Sequence, residues 1–218
     1  MIVVTLRVEA YLEQDGRWPG RGRHILAQYD DQSVIVYQAY RPAIGHFAAW
    51  RGYFGGEFSL SRMSWIKPNF LWMAYRSGWS SKEGQEVTLA VRLRREAFDT
   101  ILAQAVHSTY VEEVYGSVDA WKQAVAQSEV RLQWDPDHHP AGASLERRAI
   151  QLGLRGDVLR YYARDWIIGI EDISEFVRQQ YRHVLSGDYA QLVTPREDVY
   201  RPGDANIAKR LQLDTRTI

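Results

Sequence analysis

Three segments of this chain repeat one pattern, apolar and polar side chains alternating with a period of two. In "QEVTLAVRLRRE", Val87, Leu89, Val91 and Leu93 alternate with Thr88, Ala90, Arg92 and Arg94. "SEVRLQW" sets Val130, Leu132 and Trp134 against Arg131 and Gln133, and "RRAIQLGLRG" sets Ile150, Leu152 and Leu154 against Gln151, Gly153 and Arg155. Successive side chains of a strand point to opposite faces, so each segment reads as a strand with one buried and one polar face. A doubly wound parallel sheet is covered on both sides and makes its strands apolar throughout. The pattern therefore predicts an α+β fold: a mixed or mainly antiparallel sheet with one polar face, flanked by helices.

Helix signals fall between the strands. Pro42 and Gly52 bracket "PAIGHFAAWRG", Ser117 is placed to cap "VDAWKQAVAQ", and Gly187 closes "ISEFVRQQYRHVLSG". "DPDHHPAG" reads as a turn. The 218 residues suit a single domain, assigned to 1–190. Residues 191–218 have little apolar periodicity and read as a C-terminal tail, irregular or packed on the domain. With no Cys, disulfide-linked partners, thiolate metal sites and Cys nucleophiles are excluded together. There is no run of about 18 apolar residues to span a membrane, and no basic leader with a cleavage site, so the expected location is cytoplasmic. Nothing in the sequence reports the oligomeric state.

The net charge of zero gives no basic footprint for nucleic acid. The 27 basic residues nevertheless divide into 23 Arg and 4 Lys, and Arg is the side chain that grips phosphate or carboxylate bidentately. A GC-rich genome accounts for such a bias by itself, so only the placement of each Arg carries weight. The polar face of Arg92, Arg94, Arg131, Gln133, Gln151 and Arg155 has two readings, a solvated face or the floor of a cleft for a phosphate-bearing ligand. The densest placement is "FSLSRMSWIKPNFLWMAYRSGW", Phe58 to Trp79, with three of the eight Trp beside Arg62, Lys67, Asn69 and Arg76. Pro68 cannot lie inside an unkinked helix, so a strand or turn through "SRMSWIK" and a helix opening near Pro68 and Asn69 are expected. A helix start flanked by cations is a site for an anion, and Trp faces stack bases. The segment is read as one wall of a binding site, against the alternative of core aromatics with arginines snorkelling outward. Candidate ligand-binding residues are Arg62, Trp65, Lys67, Asn69, Tyr75, Arg76, Trp79, Arg131 and Gln133.

Familiar catalytic motifs are missing. "GYFGGEFSL" lacks the Gly-Lys-Ser/Thr of a phosphate loop, "GRWPGRGRH" lacks dinucleotide spacing, and no nucleophile elbow occurs. His138 and His139, with Asp135 and Asp137, read as a solvated loop, and no metal site is assigned.

The blocks "VYQAYRPAIG", "RMSWIKPNFLWMAYRSGW", "KEGQE", "RLQWDPDHHP" and "RRAIQLGL" together resemble a microbial family called domain of unknown function 4291, over roughly Ile25 to Ser174. That resemblance implies no particular activity. The order of polar residues is also similar to the ADP-ribosyltransferase layout, in which an early-strand polar residue, a middle Ser or Tyr and a late Glu or Gln share NAD. By that likeness the catalytic positions are Arg41 or Tyr37, then Ser64, then Gln151, with NAD as cofactor and a nucleobase or other group as acceptor. The competing expectation is a non-catalytic nucleotide or single-stranded nucleic-acid binding module, stacking its ligand on Trp65, Trp72 and Trp79.

Overall fold

The computed structural model describes residues 6–214. Strand β1 (Val8–Ala10), helix α1 (Tyr11–Asp15) and strands β2 (Gly22–Arg23) and β3 (Ile25–Ala27) lead into β4 (Ser33–Tyr40) and α2 (Pro42–Arg51). β5 (Ser64–Ile66) and α3 (Phe70–Arg76) occupy the aromatic segment, with Pro68 between them as its backbone restrictions require. β6 (Val87–Arg94), α4 (Arg95–Gln104), β7 (Ala105–His107), α5 (Glu112–Tyr115) and α6 (Val118–Gln127) follow. The long hairpin is β8 (Val130–His138) and β9 (Ser144–Leu154). α7 (Gly156–Arg164), β10 (Ile167–Asp172), α8 (Ser174–Ser186), β11 (Val193–Pro195), β12 (Asp198–Tyr200) and α9 (Ala205–Arg210) complete the chain.

The fold is α+β, but the strands divide among several sheets. β10, β6 and β4 form a three-stranded antiparallel sheet. β2, β9, β8 and β7 form a second sheet with β5 on the β9 edge; β8, β9 and β5 run antiparallel, while β2 and β7 add parallel edges. Apolar faces of both sheets meet in one core, where Val34, Val36, Leu89, Val91 and Leu93 lie with Leu132, Ile150, Leu152 and Leu154. The other face of β4 and β6 is also buried, with Ile35, Tyr37 and Ala90 in a second core under α3 and α8. Coverage on both faces explains why β4 reads as a continuous apolar run instead of an alternating one.

Two expectations are corrected here, the shared polar face and the solvated turn. Arg92 and Arg94 belong to the three-stranded sheet, so the six polar residues of the alternating strands do not share one face. β8 continues through "DPDH", and Pro136 is accommodated beside a register shift between Pro136 and His138, where a missing donor is tolerated. His138 is consequently buried, not solvated. The segment from 191 onward contributes two strands, pairing with β1 and β3, and its Leu192, Tyr200 and Leu211 are fully buried.

Candidate functional site

Where β4 and the β9 edge diverge, the chain leaves a cleft of about 740 Å³. Its walls come from Gln38, Ala39 and Tyr40 on β4, Arg62, Met63, Ser64, Trp65 and Lys67 around β5, Trp72, Met73 and Arg76 on α3, Gln85, and Gln133, Asp135 and Gln151 on the β8–β9 hairpin. A recess of about 420 Å³ shares Tyr40, Arg62, Ser64 and Gln85 with it and extends to Arg41 and Glu57.

β5 is the hinge of this construction. Ser64, Trp65 and Ile66 pair with Leu154, Gly153 and Leu152 of β9. One residue later the backbone of Lys67 switches to β4, accepting from Tyr37 N at 2.6 Å and donating to Tyr37 O at 3.2 Å. The segment thus ties the two sheets together and holds Lys67 at their parting. Gly153 is needed at this crossing, since a Cβ there would lie 2.6 Å from Met63 Sδ and 2.9 Å from the Trp65 ring.

Two polar networks line the cleft. In the first, Gln38 Nε2 donates to Ser64 Oγ at 2.8 Å, Tyr40 Oη at 2.8 Å and Trp65 O at 3.0 Å. Tyr162 Oη donates to Gln38 Oε1 at 2.6 Å, and the Tyr40 and Ser64 hydroxyls meet at 2.5 Å. In the second, Asp135 accepts from Gln133 Nε2 at 2.8 Å and from Gln151 Nε2 at 2.7 Å. Each amide nitrogen gives one of its two donors to that carboxylate, so Gln133 and Gln151 keep an acceptor oxygen and a second N–H for a ligand.

Lys67 lies between these networks. It is 5% exposed, and its ammonium makes no direct hydrogen bond or ion pair with any described residue. Burial, reinforced by the Arg76 guanidinium and opposed by Asp135, brings it down to about 8. Trp72 Nε1, also buried at the cleft, has no hydrogen-bond partner among the described residues. Buried polar groups are ordinarily satisfied; here Trp72 Nε1 is left open beside the cleft into which Lys67 faces.

Of the residues chosen from sequence, Arg62, Ser64, Trp65, Lys67, Arg76, Gln133 and Gln151 line this cleft. Arg41 stands at the recess, paired with Glu57 in an exposed contact. Tyr37 faces the second core, its hydroxyl without a partner among the described residues and its ionisation pushed well up by burial. Its contribution to the site is its backbone. Asn69 caps α3, accepting from Trp72 N at 2.6 Å. The place expected for an anion at that helix start is taken by the chain itself, where the Glu197 carboxyl accepts from Phe70 N at 2.6 Å and from Asn69 Nδ2 at 3.3 Å. Burial raises the Glu197 carboxyl well above its ordinary value. Arg131 donates to Ser128 O at 3.1 Å and to Val125 O, tying down the end of α6, and Arg155 joins it on Ser128 O. Trp79 is buried in the second core, stacked on Tyr181. Tyr75 stacks on His138 and borders a different hollow with Trp79.

The sequence reading missed Gln38, Tyr40, Tyr162, Gln85 and Asp135, and named Trp72 only as a stacking ring of the binding-module alternative. Gln38 and Tyr40 carried a signal, since polar groups interrupt the apolar run of β4 near its end. Asp135 carried none once its segment was read as a turn. Among the described residues no group of three His, Asp or Glu side chains is placed to hold a metal, and no helix is long and apolar enough to cross a membrane. No curated protein matches the chain. The residues that build the cleft lie within 24–200, the span matched by the model of the domain of unknown function DUF4291, and the chain belongs to that family.

Proposed function

We propose that the cleft binds a nucleotide, with NAD as the donor substrate, and transfers its ADP-ribosyl group to a nucleobase or other acceptor. The observation that carries this reading is the buried, unpaired Lys67 opening with Arg62 and Arg76 into the same cleft as Ser64 and Gln151. Three cations suit a pyrophosphate, whose oxygens would satisfy the ammonium that the protein leaves alone. Trp65 and the unpartnered Trp72 Nε1 offer a ring face and a donor beside it. The order of Ser64 on β5 and Gln151 on β9 follows the ADP-ribosyltransferase likeness, and Gln38 with Tyr40 takes the early-strand place given to Arg41 or Tyr37.

In this chemistry the bond between ribose C1′ and nicotinamide breaks, nicotinamide leaves with the electron pair, and positive charge develops on the ribose. The acceptor then bonds to C1′ and loses a proton. Gln151, held by Asp135, would accept from a ribose or acceptor hydroxyl, while the Ser64 and Tyr40 hydroxyls fix the ribose side. Asp135 is the carboxylate of the lining, suited both to the developing charge and to the proton released.

The test is nicotinamide release from NAD with nucleotides, RNA, DNA and protein offered as acceptors. Ser64→Ala and Gln151→Ala are expected to lower turnover by about 10²-fold or more while retaining the thermal shift with NAD. The absence of both a thermal shift and nicotinamide release with the native chain would overturn the reading. A shift without release, abolished by Trp65→Ala, would instead establish the non-catalytic binding module.

A further inference from the structure

A buried ammonium without a partner can be accommodated in two ways, by an anionic ligand or by loss of its proton. The first underlies the pyrophosphate reading. The second gives the cleft an activity that goes beyond that reading and does not depend on it. Lys67 is nearly inaccessible except through the cleft, and Arg62 and Arg76 remain there as handles for an anion when Lys67 is neutral. The titratable and charged groups around it are Arg76 on α3, Asp135 on β8, Arg62 before β5 and Tyr40 on β4.

We propose that Lys67 is a reactive amine, forming an imine with an aldehyde or ketone ligand whose anionic group is held by Arg62 and Arg76. The Nζ lone pair attacks the carbonyl carbon, a C–N bond forms, and the carbonyl oxygen takes a proton. The nitrogen loses one proton to give the carbinolamine, whose hydroxyl takes a further proton and leaves as water as the C=N bond forms, and loss of the second N–H proton from that iminium leaves the imine. Amine and carbonyl become imine and water, with no oxidant or reductant required. Asp135 and the Tyr40–Ser64 hydroxyl pair line the same cleft and are the groups available to carry those protons. With Lys67 titrating at about 8, roughly a hundredfold more of it is neutral at pH 8 than of an ordinary exposed lysine.

The chain supplies its own controls, because its other lysines, Lys82, Lys122 and Lys209, are all exposed. The full chain is treated with pyridoxal 5′-phosphate, an aldehyde carrying a phosphate, reduced with borohydride, and mapped by peptide mass. The expected result is labelling of Lys67 at least tenfold faster than of the other three, half-maximal near pH 8, and slowed at least tenfold in Arg62→Ala/Arg76→Ala. Labelling that simply follows exposure, with Lys67 slowest, overturns the proposal; so does preferential labelling of Lys67 that the double variant leaves unchanged, since the anion handle is then absent. Lys67→Arg, which keeps a cation, must lose the preferential label while melting within a few degrees of the native chain. Repeating the labelling with excess NAD separates the two readings. Protection of Lys67 places both ligands in one cleft, whereas fast labelling indifferent to NAD sustains the imine and counts against the transferase.

Discussion

Arg147 and Lys67 are both buried cations, and the protein treats them in opposite ways. Arg147 Nε donates to Asp137 Oδ2 at 2.7 Å, its Nη1 donates to Pro19 O at 2.8 Å, and its guanidinium lies 5.2 Å from the Trp18 ring. Lys67 has no such partner among the described residues. Strand alternation puts Gln133, Asp135 and Asp137 on one face of β8, and Arg147 and Gln151 on one face of β9. One stretch of the hairpin is therefore closed over by an ion pair beneath Trp18, and the other is left as an amide-lined cleft. Closing both ends would have needed only a second carboxylate within reach of Lys67. That Asp135 instead spends both oxygens on Gln133 and Gln151 is what distinguishes a site from a core.

The largest expected effect breaks the closed end. Arg147→Met leaves Asp137 buried without its partner, a change that costs about 3–5 kcal/mol and lowers the melting point by about 6–20 °C in a chain of this size. A loss below about 1 kcal/mol in thermal denaturation would mean that the ion pair is not structural, and the contrast with Lys67 would collapse.

Lys67→Met should act in the opposite direction. Removing a buried unpaired ammonium is expected to stabilise the chain by about 1–3 kcal/mol at pH 7 while abolishing the response to NAD. The sign follows from linkage: the folded-state value of about 8 lies below the ordinary lysine value of about 10.4, so the unfolded chain binds the extra proton between them. Native stability should thus rise with pH from about 8 to 10.4, fastest between those values, and the variant should lack that rise. Denaturant titrations at pH 7, 9 and 10 read both effects.

Tyr162→Phe sharpens the comparison from the core behind the cleft. The lost hydroxyl leaves Gln38 Oε1 without its buried donor, for about 1–3 kcal/mol, and frees the amide that positions Ser64 and Tyr40. Catalytic turnover is expected to fall more than NAD affinity, as measured by nicotinamide release and thermal shift on the same variant.

How much of this was legible in the sequence depends on the range of the interaction. The alternation in β6, β8 and β9, the Pro68 boundary and the Ser117, Gly52 and Gly187 punctuation are local effects, and each could be read from a few neighbouring residues. The cleft residues of the 62–76 segment were legible for the same reason, because one short stretch supplies Arg62, Ser64, Trp65, Lys67 and Arg76. What failed was facing. Nothing near Arg131 says that the backbone carbonyls of α6 will occupy it, and nothing near Asn69 says that Glu197, 128 residues later, will take the free donors of α3. Asp135 was obscured by the Pro and His beside it, which suggest a turn where the hairpin continues through an irregularity.

Arg41 offers the smallest effect and the finest test of where the site ends. Its guanidinium is more than half exposed and paired with an equally exposed Glu57, a contact worth about 0–1 kcal/mol in water and weakened further by salt. Arg41→Ala should change stability by no more than about 0.5 kcal/mol and reduce NAD affinity less than threefold, against a much greater loss for Lys67→Met. An effect on NAD binding as large as that of Lys67 would mean that the recess at Arg41 and Glu57 belongs to the binding site proper. The early-strand role would then return from Gln38 and Tyr40 to Arg41, and the ligand would have to reach across Ser64 to fill both hollows.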